Sequence, residues 1–179
     1  MTVIAGVVER GRVWLAADSQ ATGGWDAHMR VEPKVYIKGP MVLGAAGSPR
    51  EGQLIQHQMK LPDLPAGADL HEWMVLHFVE AMRSCLKQAG AMKISDSVER
   101  TTSTWLVGIR GRLFAIHSDL QVSERVDGFD AVGCGMDHAL GALYVTKGSA
   151  GRRLDLAVNA AARFSAGVGG RVDIVKEPK

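Results

Sequence analysis

The chain has few cysteines, no long apolar run and no block of like charges. Its 179 residues include two cysteines, Cys85 and Cys134, which are too few for a disulfide framework or a metal cluster and suit a reducing cytoplasm. No uninterrupted apolar stretch approaches the roughly 20 residues of a membrane-spanning helix, and no basic segment of the signal-peptide type precedes the first apolar run. These absences predict a cytoplasmic protein that makes no membrane contact.

The charge balance argues against nucleic acid as a partner. Lys and Arg together number 21 and Asp and Glu 19, for a formal net charge of +2, and both signs are spread along the chain. The length suits one domain, residues 1–179, which should bury roughly 70% of its unfolded surface. What is present is therefore the composition of an ordinary globular enzyme or binding domain.

Apolar runs separated by short polar turns predict hairpins in the first part of the chain. Val3 to Val8 and Val13 to Ala17 flank Glu9-Arg10-Gly11-Arg12, and Lys34 to Lys38 and Met41 to Ala46 flank Gly39-Pro40. Both faces of these strands are largely apolar, as expected for a covered sheet. Asp18 to Gly24 is interpreted as turn residues.

Two capping boxes predict the first helices. Ser48 with Glu51 opens one helix that runs to about Met59, and Asp69 with Glu72 opens a longer one that Gly90 ends. Apolar residues at helical spacing predict the buried face of the second helix; they are Leu70, Trp73, Met74, His77, Phe78, Ala81, Met82 and Cys85.

The second half repeats the order of strands followed by helices. Residues 92–102 are interpreted as loop, Ser103 to Ile109 and Leu113 to His117 as a third hairpin, and weak strands follow around Val122 and at 129–132. Helices are predicted from Met136 to about Thr146 and from Arg153 to about Phe164, and a last strand from Arg171 to Val175. This order predicts an α+β fold, a four-layer αββα sandwich of two antiparallel sheets.

Thr2 is the candidate nucleophile. If Met1 is removed, Thr2 carries a hydroxyl and a free α-amine on one residue, so a nucleophile and a base are already joined. The α-amine titrates near ~7.7 in model peptides, so it can be neutral at physiological pH and accept the hydroxyl proton, through a water. Many cytosolic proteins also begin Met-Thr, so Thr2 needs distant partners to be assigned this role.

Taken in order, the chain resembles a proteasome β-type subunit. The resemblance rests on five short motifs. Three belong to strands: Met1-Thr2 before the first strand, Ala17-Asp18-Ser19-Gln20-Ala21-Thr22 after the second strand and Lys34-Val35 at the start of the third strand. Two precede helices: Ala45-Ala46-Gly47 before the first helix and Gly133-Cys134-Gly135 before the third helix. The chain is most similar to the bacterial HslV type. The resemblance implies the N-terminal nucleophile (Ntn) hydrolase fold.

The resemblance also implies roles for individual residues. Thr2 would attack a peptide carbonyl, Lys34 would place an ammonium beside it, and Asp18 would hold that lysine charged and oriented. The amide of Gly47 would donate to the oxyanion, and Ala45 would line the specificity pocket. The alternative for Asp18 and Lys34 is a weak surface pair, and for Gly47 an ordinary turn before a capped helix.

Two positions depart from the pattern that the resemblance implies. Cys134 stands where a serine usually supports the threonine amine, and a thiol is a poorer hydrogen-bond donor. Near the last helix, Ser165 and Val168 replace an acid and a serine, and the nearest acid is Asp173. No cofactor is required, although the family binds a monovalent cation near that turn, which makes Ser165 and Gly167 candidate ligands.

The sequence leaves two functions open. The first is a threonine-type endopeptidase that degrades unfolded polypeptides inside homo-oligomeric stacked rings, with a separate ATPase unfoldase as a possible partner. The second is a catalytically inactive structural or assembly subunit, since a retained Met1 would block the amine. A thiol mechanism at Cys134 is the rival chemistry, whereas Cys85 lies on the apolar helix face and is expected in the core. Gly133 to Gly135 is only a weak candidate for a phosphate-binding turn.

Overall fold

Strands and helices alternate in groups along the chain. A computed structural model describes residues 1–95 and 97–179. The first strands are β1 (Val3–Glu9), β2 (Arg12–Asp18), β3 (Gln20–Gly23), β4 (Asp26–Met29), β5 (Val35–Lys38) and β6 (Met41–Ala46). The later ones are β7 (Lys93–Ser95), β8 (Val98–Arg100), β9 (Thr104–Ile109), β10 (Arg112–Ile116), β11 (Val122–Glu124), β12 (Phe129–Gly133) and β13 (Val172–Lys176). The helices are α1 (Pro49–His57), α2 (Leu70–Trp73), α3 (Val79–Gln88), α4 (Met136–Val145) and α5 (Ala150–Phe164), with a π-helical turn (Met74–Phe78) joining α2 to α3.

Two antiparallel sheets form the centre of the fold. The first has the strand order β12-β1-β2-β13 and the second the order β11-β10-β9-β6-β5. The predicted hairpins β1–β2, β5–β6 and β9–β10 all form. β3–β4 and β7–β8 are separate two-stranded hairpins. Of the helices in the described residues, none is long and apolar enough to cross a membrane.

Three apolar clusters fill the spaces between four layers. One lies between the two sheets and is built on Ile4, Leu15, Val42 and Leu106. A second packs the other face of the second sheet against α1, the π-helical turn and α3, and a third packs the first sheet against α4 and α5. Because each sheet is covered on both faces, its strands are apolar on both sides. The predicted αββα sandwich is confirmed.

The π-helical turn changes which face of the second helix is buried. The predicted face included His77, but this residue is exposed, whereas Val79 is buried. A π turn holds one residue more than an α turn, so the apolar face moves on by one position after Met74. The prediction for His77 is wrong because an uninterrupted α-helical period was assumed. Cys85, as predicted, is in the core.

Smaller differences concern segments with little apolar character. Asp18 to Gly24, interpreted as turn residues, include the last residue of β2 and the whole of β3. The predicted loop at 92–102 contains the β7–β8 hairpin. These strands bury few side chains, so no apolar period marks them. α5 begins at Ala150, where the carboxylate of Glu9 accepts from the Ala150 amide, three residues before the predicted start.

Candidate active site

Lys34 lies between Thr2 and Asp18. Its Nζ is 2.8 Å from Thr2 Oγ1 and 2.8 Å from Asp18 Oδ1. The side chains of Lys34 and Asp18 are only 3% and 1% exposed, so the interpretation as a weak surface pair does not hold. The three residues are the residue before β1, the last residue of β2 and the residue before β5, and the structure brings them together.

The Asp18 carboxylate is held by backbone amides as well as by the lysine. Oδ1 also accepts from Val3 N at 3.1 Å, while Oδ2 accepts from Gln20 N at 3.3 Å and Gly169 N at 3.1 Å. Asp18 is therefore fixed in position on both oxygens and can orient Lys34.

A third acceptor completes the surroundings of the Lys34 ammonium. The carbonyl of Gln20 accepts from Nζ at 2.6 Å. Burial lowers the pKa of Lys34 from its ordinary value, and the hydrogen bond and charge of Asp18 oppose that shift. A lysine with a lowered pKa gives up its proton more readily than an exposed lysine, and such shifted groups are common at functional sites.

Thr2 is held at its backbone by Cys134. The backbone N of Thr2 donates to Cys134 Sγ at 3.3 Å, and Sγ lies 3.5 Å from the Thr2 carbonyl oxygen. In the chain with Met1 attached, this nitrogen is an amide, and the Thr2 hydroxyl donates to the Met1 carbonyl. The thiol is therefore beside the atom that becomes the α-amine when Met1 is removed.

The approach of Cys134 to Thr2 requires a glycine at 133. Val3 pairs with Gly133 where β1 begins and β12 ends. Gly133 has φ +97°, and a Cβ there would lie 2.3 Å from the Thr2 carbonyl oxygen. Any side chain at this position would push the turn away from the threonine.

Gly47 forms the turn between β6 and α1. Its φ is +145°, and a Cβ there would lie 2.5 Å from the Thr102 carbonyl oxygen and 2.6 Å from Ser103 Cα. The turn is also pinned through Ser48, whose amide donates to Ser103 Oγ at 3.0 Å. Gly47 is thus required by a close backbone approach, and it lines the same cleft as Thr2.

The capping box that precedes α1 is only half formed. Ser48 Oγ accepts from the Glu51 amide at 3.4 Å, as predicted, but the Glu51 carboxylate is turned to Thr102. Its Oε1 accepts from the amide of Thr102 at 3.0 Å and from its hydroxyl at 2.6 Å. Glu51 is buried and ties the start of α1 to the segment that precedes β9.

A cleft of about 160 Å³ opens beside the threonine. It lies between the end of the second sheet and α1, and Ala45 is among its lining residues, as predicted. The lining includes Thr2, Arg30, Glu32, Lys34, Tyr36, Gly47, Gly52, Gln53, Gln56 and His57. The nucleophile candidate therefore stands at the edge of a cavity that can hold a side chain of a bound molecule.

The turn after α5 contains the two candidate cation ligands. Ser165 Oγ is 3.7 Å from Cys134 Sγ, and Gly167 packs directly against the Met1 side chain. The carbonyls of Ser165 and Ala166 already accept hydrogen bonds, from Val168 N and from Gln20 Nε2. The monovalent cation therefore stays a prediction. Within residues 1–95 and 97–179, no cluster of three or more His, Cys, Asp or Glu suits a metal ion.

Sequence reasoning missed Gly169 and the backbone role of Gln20. Both act through main-chain atoms, which residue type does not reveal. Asp173, the nearest acid to this turn in sequence, is paired with Arg171 at 2.5 Å instead. Tyr36 lies on the predicted strand Lys34 to Lys38, but nothing in the sequence marks it as part of the cleft.

Comparison with known proteins gives structural matches alone. No protein-family model matches the chain, and no curated protein matches its sequence. The structure of Thiobacillus denitrificans BPH in complex with epoxomicin is similar over 97% of each chain, with a TM-score of 0.80 and 22% identity. Eukaryotic HslV from Trypanosoma brucei is similar over 97% of this chain and 98% of its own, with a TM-score of 0.68 and 18% identity.

Anbu, described as an ancestral β-subunit, from Yersinia bercovieri is similar over 97% of this chain and 80% of its own, with a TM-score of 0.71 and 18% identity. At these identities a likeness establishes the fold and leaves activity open. The chain has the proteasome-β/HslV-like Ntn-hydrolase fold, as the resemblance implied.

Proposed function

Starting from this fold and from the position of Lys34 between Thr2 and Asp18, we propose that the chain is a threonine-type endopeptidase subunit. Thr2 is the nucleophile once Met1 is removed. The observation that carries the proposal is the 2.8 Å contact between Lys34 Nζ and Thr2 Oγ1 in a buried ion pair. A structural lysine has no need to be buried against a threonine hydroxyl.

The reaction follows from the geometry of these groups. The Thr2 hydroxyl oxygen attacks a peptide carbonyl carbon while its proton passes, through a water, to the freed α-amine. The Lys34 ammonium stabilises the negative charge that develops on the hydroxyl oxygen, and the Gly47 amide donates to the oxyanion. The peptide C–N bond breaks, the leaving amine takes the proton, and water then hydrolyses the ester on Thr2.

Cys134 has a positioning role in this proposal. Its Sγ contacts the backbone N of Thr2, so after processing it supports the α-amine that acts as base. The thiol does not contact the cleft in which a substrate carbonyl would lie, because Cys134 is absent from the lining residues found for that cavity among the described residues. This placement favours Thr2 over Cys134 as the nucleophile.

The assembly part of the proposal rests on the fold alone. The neighbours named HslV and ancestral β-subunit suggest that this chain forms homo-oligomeric rings that stack around a chamber and admit unfolded polypeptides, with an ATPase unfoldase as a possible partner. We place this assembly in the cytoplasm. An active site enclosed in a chamber would protect folded proteins from an otherwise unselective peptidase.

The test combines processing with covalent labelling. Intact mass should show loss of Met1, and a peptide epoxyketone should add to the processed chain, because its ketone and epoxide can react with the hydroxyl and amine of one residue. Epoxomicin is the first compound to try, since the similar Thiobacillus BPH binds it. The adduct should map to Thr2 and vanish in Thr2→Ala.

Other outcomes of this test point to the rival functions. A chain that keeps Met1 and takes up no label would support an inactive structural subunit. An adduct on Cys134 that persists in Thr2→Ala would support a thiol mechanism. Cys134→Ser is the matched control, since it retains a hydrogen-bonding group beside Thr2 and should still be labelled on the threonine.

A further inference from the structure

The guanidinium of Arg30 has no close partner. Its side chain is 18% exposed, and its ion-pair partner, Glu32 Oε2, lies 4.0 Å from Nε, which is too far for a hydrogen bond. Within residues 1–95 and 97–179, none of its side-chain nitrogens donates a hydrogen bond, and none is among the unpaired atoms that are closed to solvent. The positive charge is therefore largely buried, has no bonded counter-ion and is open to a ligand.

Arg30 directly follows β4 and borders the cleft beside Thr2. Its backbone N donates to the Ser19 carbonyl at 2.8 Å, which fixes the residue to the segment that follows β2. Burial is the main cause of the lowered pKa of Lys34, and the charge of Arg30 lowers it further, so the guanidinium lies within electrostatic reach of the lysine beside Thr2. Arg30 and Thr2 line one cavity of about 160 Å³. Because this cavity is small, a substrate side chain that enters it beside Thr2 also comes close to Arg30.

The other charged groups of the cleft leave Arg30 as the cation that a substrate can reach. The Lys34 ammonium has three acceptors at 2.6–2.8 Å, and the carboxylate of Asp18 balances its charge. His57 is exposed on the last turn of α1. Among the lining residues that the structure describes, Glu32 is the one acid, and its side chain is 73% exposed.

Glu32 is a weak competitor for the guanidinium of Arg30. Since most of the Glu32 side chain is in water, solvent screens its attraction across 4.0 Å, and exposed pairs of this kind contribute little. A carboxylate held inside the cleft would be less screened. It could also accept two parallel N–H donors, the geometry in which a guanidinium binds a carboxylate best.

From this geometry we propose that Arg30 is a specificity-determining residue that binds the side-chain carboxylate of a Glu or Asp residue of the substrate in the cleft beside Thr2. The inference rests on the proposed peptidase function. The guanidinium donates two N–H groups to the two carboxylate oxygens. A neutral side chain of the same shape leaves the guanidinium without a counter-ion, and a Lys or Arg side chain brings a like charge to it.

The test uses peptide pairs that differ in one charge. Fluorogenic peptides that are otherwise alanine should carry Glu or Gln, which have the same shape, at each position that flanks the scissile bond in turn. A hydrogen-bonded contact between charged groups corresponds to a rate preference of about tenfold or more. We expect kcat/KM to favour Glu over Gln by that factor at one of these positions, and Arg30→Met to reduce the ratio to about 1.

Two further measurements separate recognition from a merely structural role of Arg30. The ratio of Glu to Gln cleavage by the wild type should fall as the salt concentration rises, because ions screen a partly exposed charge pair. Glu32→Gln removes the competing carboxylate, so it should raise the ratio by about twofold. Neither measurement depends on the folding of Arg30→Met.

Arg152→Met is the matched control. Arg152 is exposed on α5, and it is absent from the lining of the cleft within the described part of the chain. The substitution removes the same charge from the surface without changing the cleft. This variant should therefore keep the wild-type ratio.

The outcomes separate this inference from the proposed function. A ratio near 1 at every position in the wild type, or an unchanged ratio in Arg30→Met, would overturn the role of Arg30 while cleavage itself upheld the peptidase. A preference for Gln over Glu, or a ratio that does not respond to salt, would overturn it as well. If no peptide is cleaved and an epoxyketone leaves Thr2 unlabelled, the peptidase function and the inference fail together.

Discussion

Two buried polar side chains in the region of Thr2, those of Asp18 and Tyr36, differ in how fully they are hydrogen-bonded. The Asp18 carboxylate accepts from Lys34 Nζ and from the amides of Val3, Gln20 and Gly169. The Tyr36 hydroxyl has no partner among the described residues. Both side chains belong to the region around the same threonine, yet one is fully hydrogen-bonded and the other is not.

The Asp18 carboxylate and the Tyr36 hydroxyl therefore contribute differently to the protein. A carboxylate with both oxygens occupied cannot bind substrate and serves to hold the lysine charge in one place, which is electrostatic preorganisation. A buried hydroxyl without a hydrogen-bond partner costs stability. We infer that the Asp18 carboxylate supports bond breaking through Lys34, whereas the Tyr36 hydroxyl only lowers stability.

The largest expected effect comes from removing the lysine. Lys34→Ala should lower kcat/KM by at least about 10³-fold, since the charge beside Thr2 is lost. It should also lower the free energy of unfolding by about 3–5 kcal/mol, because Asp18 is left buried without its counter-charge. Peptide hydrolysis and urea unfolding measure the two losses.

A double variant separates catalysis from stability at the ion pair. Asp18→Asn combined with Lys34→Met removes both charges, so it should recover part of the lost stability while hydrolysis stays impaired. The recovery is only partial because the new side-chain NH₂ faces a backbone N–H that the carboxylate accepted from. Lys60→Ala, an exposed lysine beyond α1, should change neither quantity. Substantial turnover by Lys34→Ala would contradict the assignment of the site.

The second effect concerns pH. If the charged Lys34 is required, activity should fall as the pH rises through its pKa, and burial places that pKa below the ordinary value of 10.5. Asp18 raises the pKa of Lys34, so Asp18→Asn should move the alkaline fall of any residual activity to lower pH. The pH profile of kcat/KM for both proteins measures this shift.

The contribution of Lys34 to the free energy of unfolding should rise with pH over the range in which activity falls. Between the lowered folded-state pKa and 10.5, the unfolded chain binds more protons at this lysine than the folded one. Its contribution to the free energy of unfolding therefore increases with pH in that window. For activity, two results would argue against Lys34 as the controlling group: a fall in kcat/KM that begins only above pH 10.5, or a fall that moves to higher pH in Asp18→Asn.

The smallest expected effect concerns the stability of a variant that lacks the unpaired hydroxyl of Tyr36. Tyr36→Phe removes an unpaired buried hydroxyl, so it should raise the free energy of unfolding by about 1 kcal/mol. Tyr144→Phe, at an exposed position, should stay within about 0.5 kcal/mol of the wild type. A destabilised Tyr36→Phe in urea unfolding would show that the hydroxyl is bonded in the free protein.

Local sequence patterns predict much of the fold and, within the candidate site, the position of Asp18 relative to Thr2. The turn at Glu9 to Arg12 sets the β1–β2 register, which pairs Ile4 with Ala17 and so places Asp18 beside the start of β1. Hairpin register depends on turn length and on the two-residue period of a strand. The relation of Asp18 to Thr2 is thus readable from sequence.

The spacing of apolar residues predicts the buried face of a helix less well where the helix contains an irregular turn. The π-helical turn at Met74–Phe78 exposes His77 and buries Val79. Nothing in residue type distinguishes a π turn from an α turn there, because both expose and bury apolar residues. Packing against the second sheet decides between them.

By itself, the sequence determined the order of strands and helices, the three hairpins, the apolar character of both sheet faces and the presence of Thr2, Asp18 and Lys34 at strand ends. Only the tertiary structure decided that Lys34 crosses from the second sheet to the first, that the Gly169 amide closes Asp18 from a distant turn, and that Tyr36 is left unpaired in the cleft. The physical reason is range: period and turn chemistry act over a few residues, whereas these contacts depend on how two sheets and their covering helices pack together.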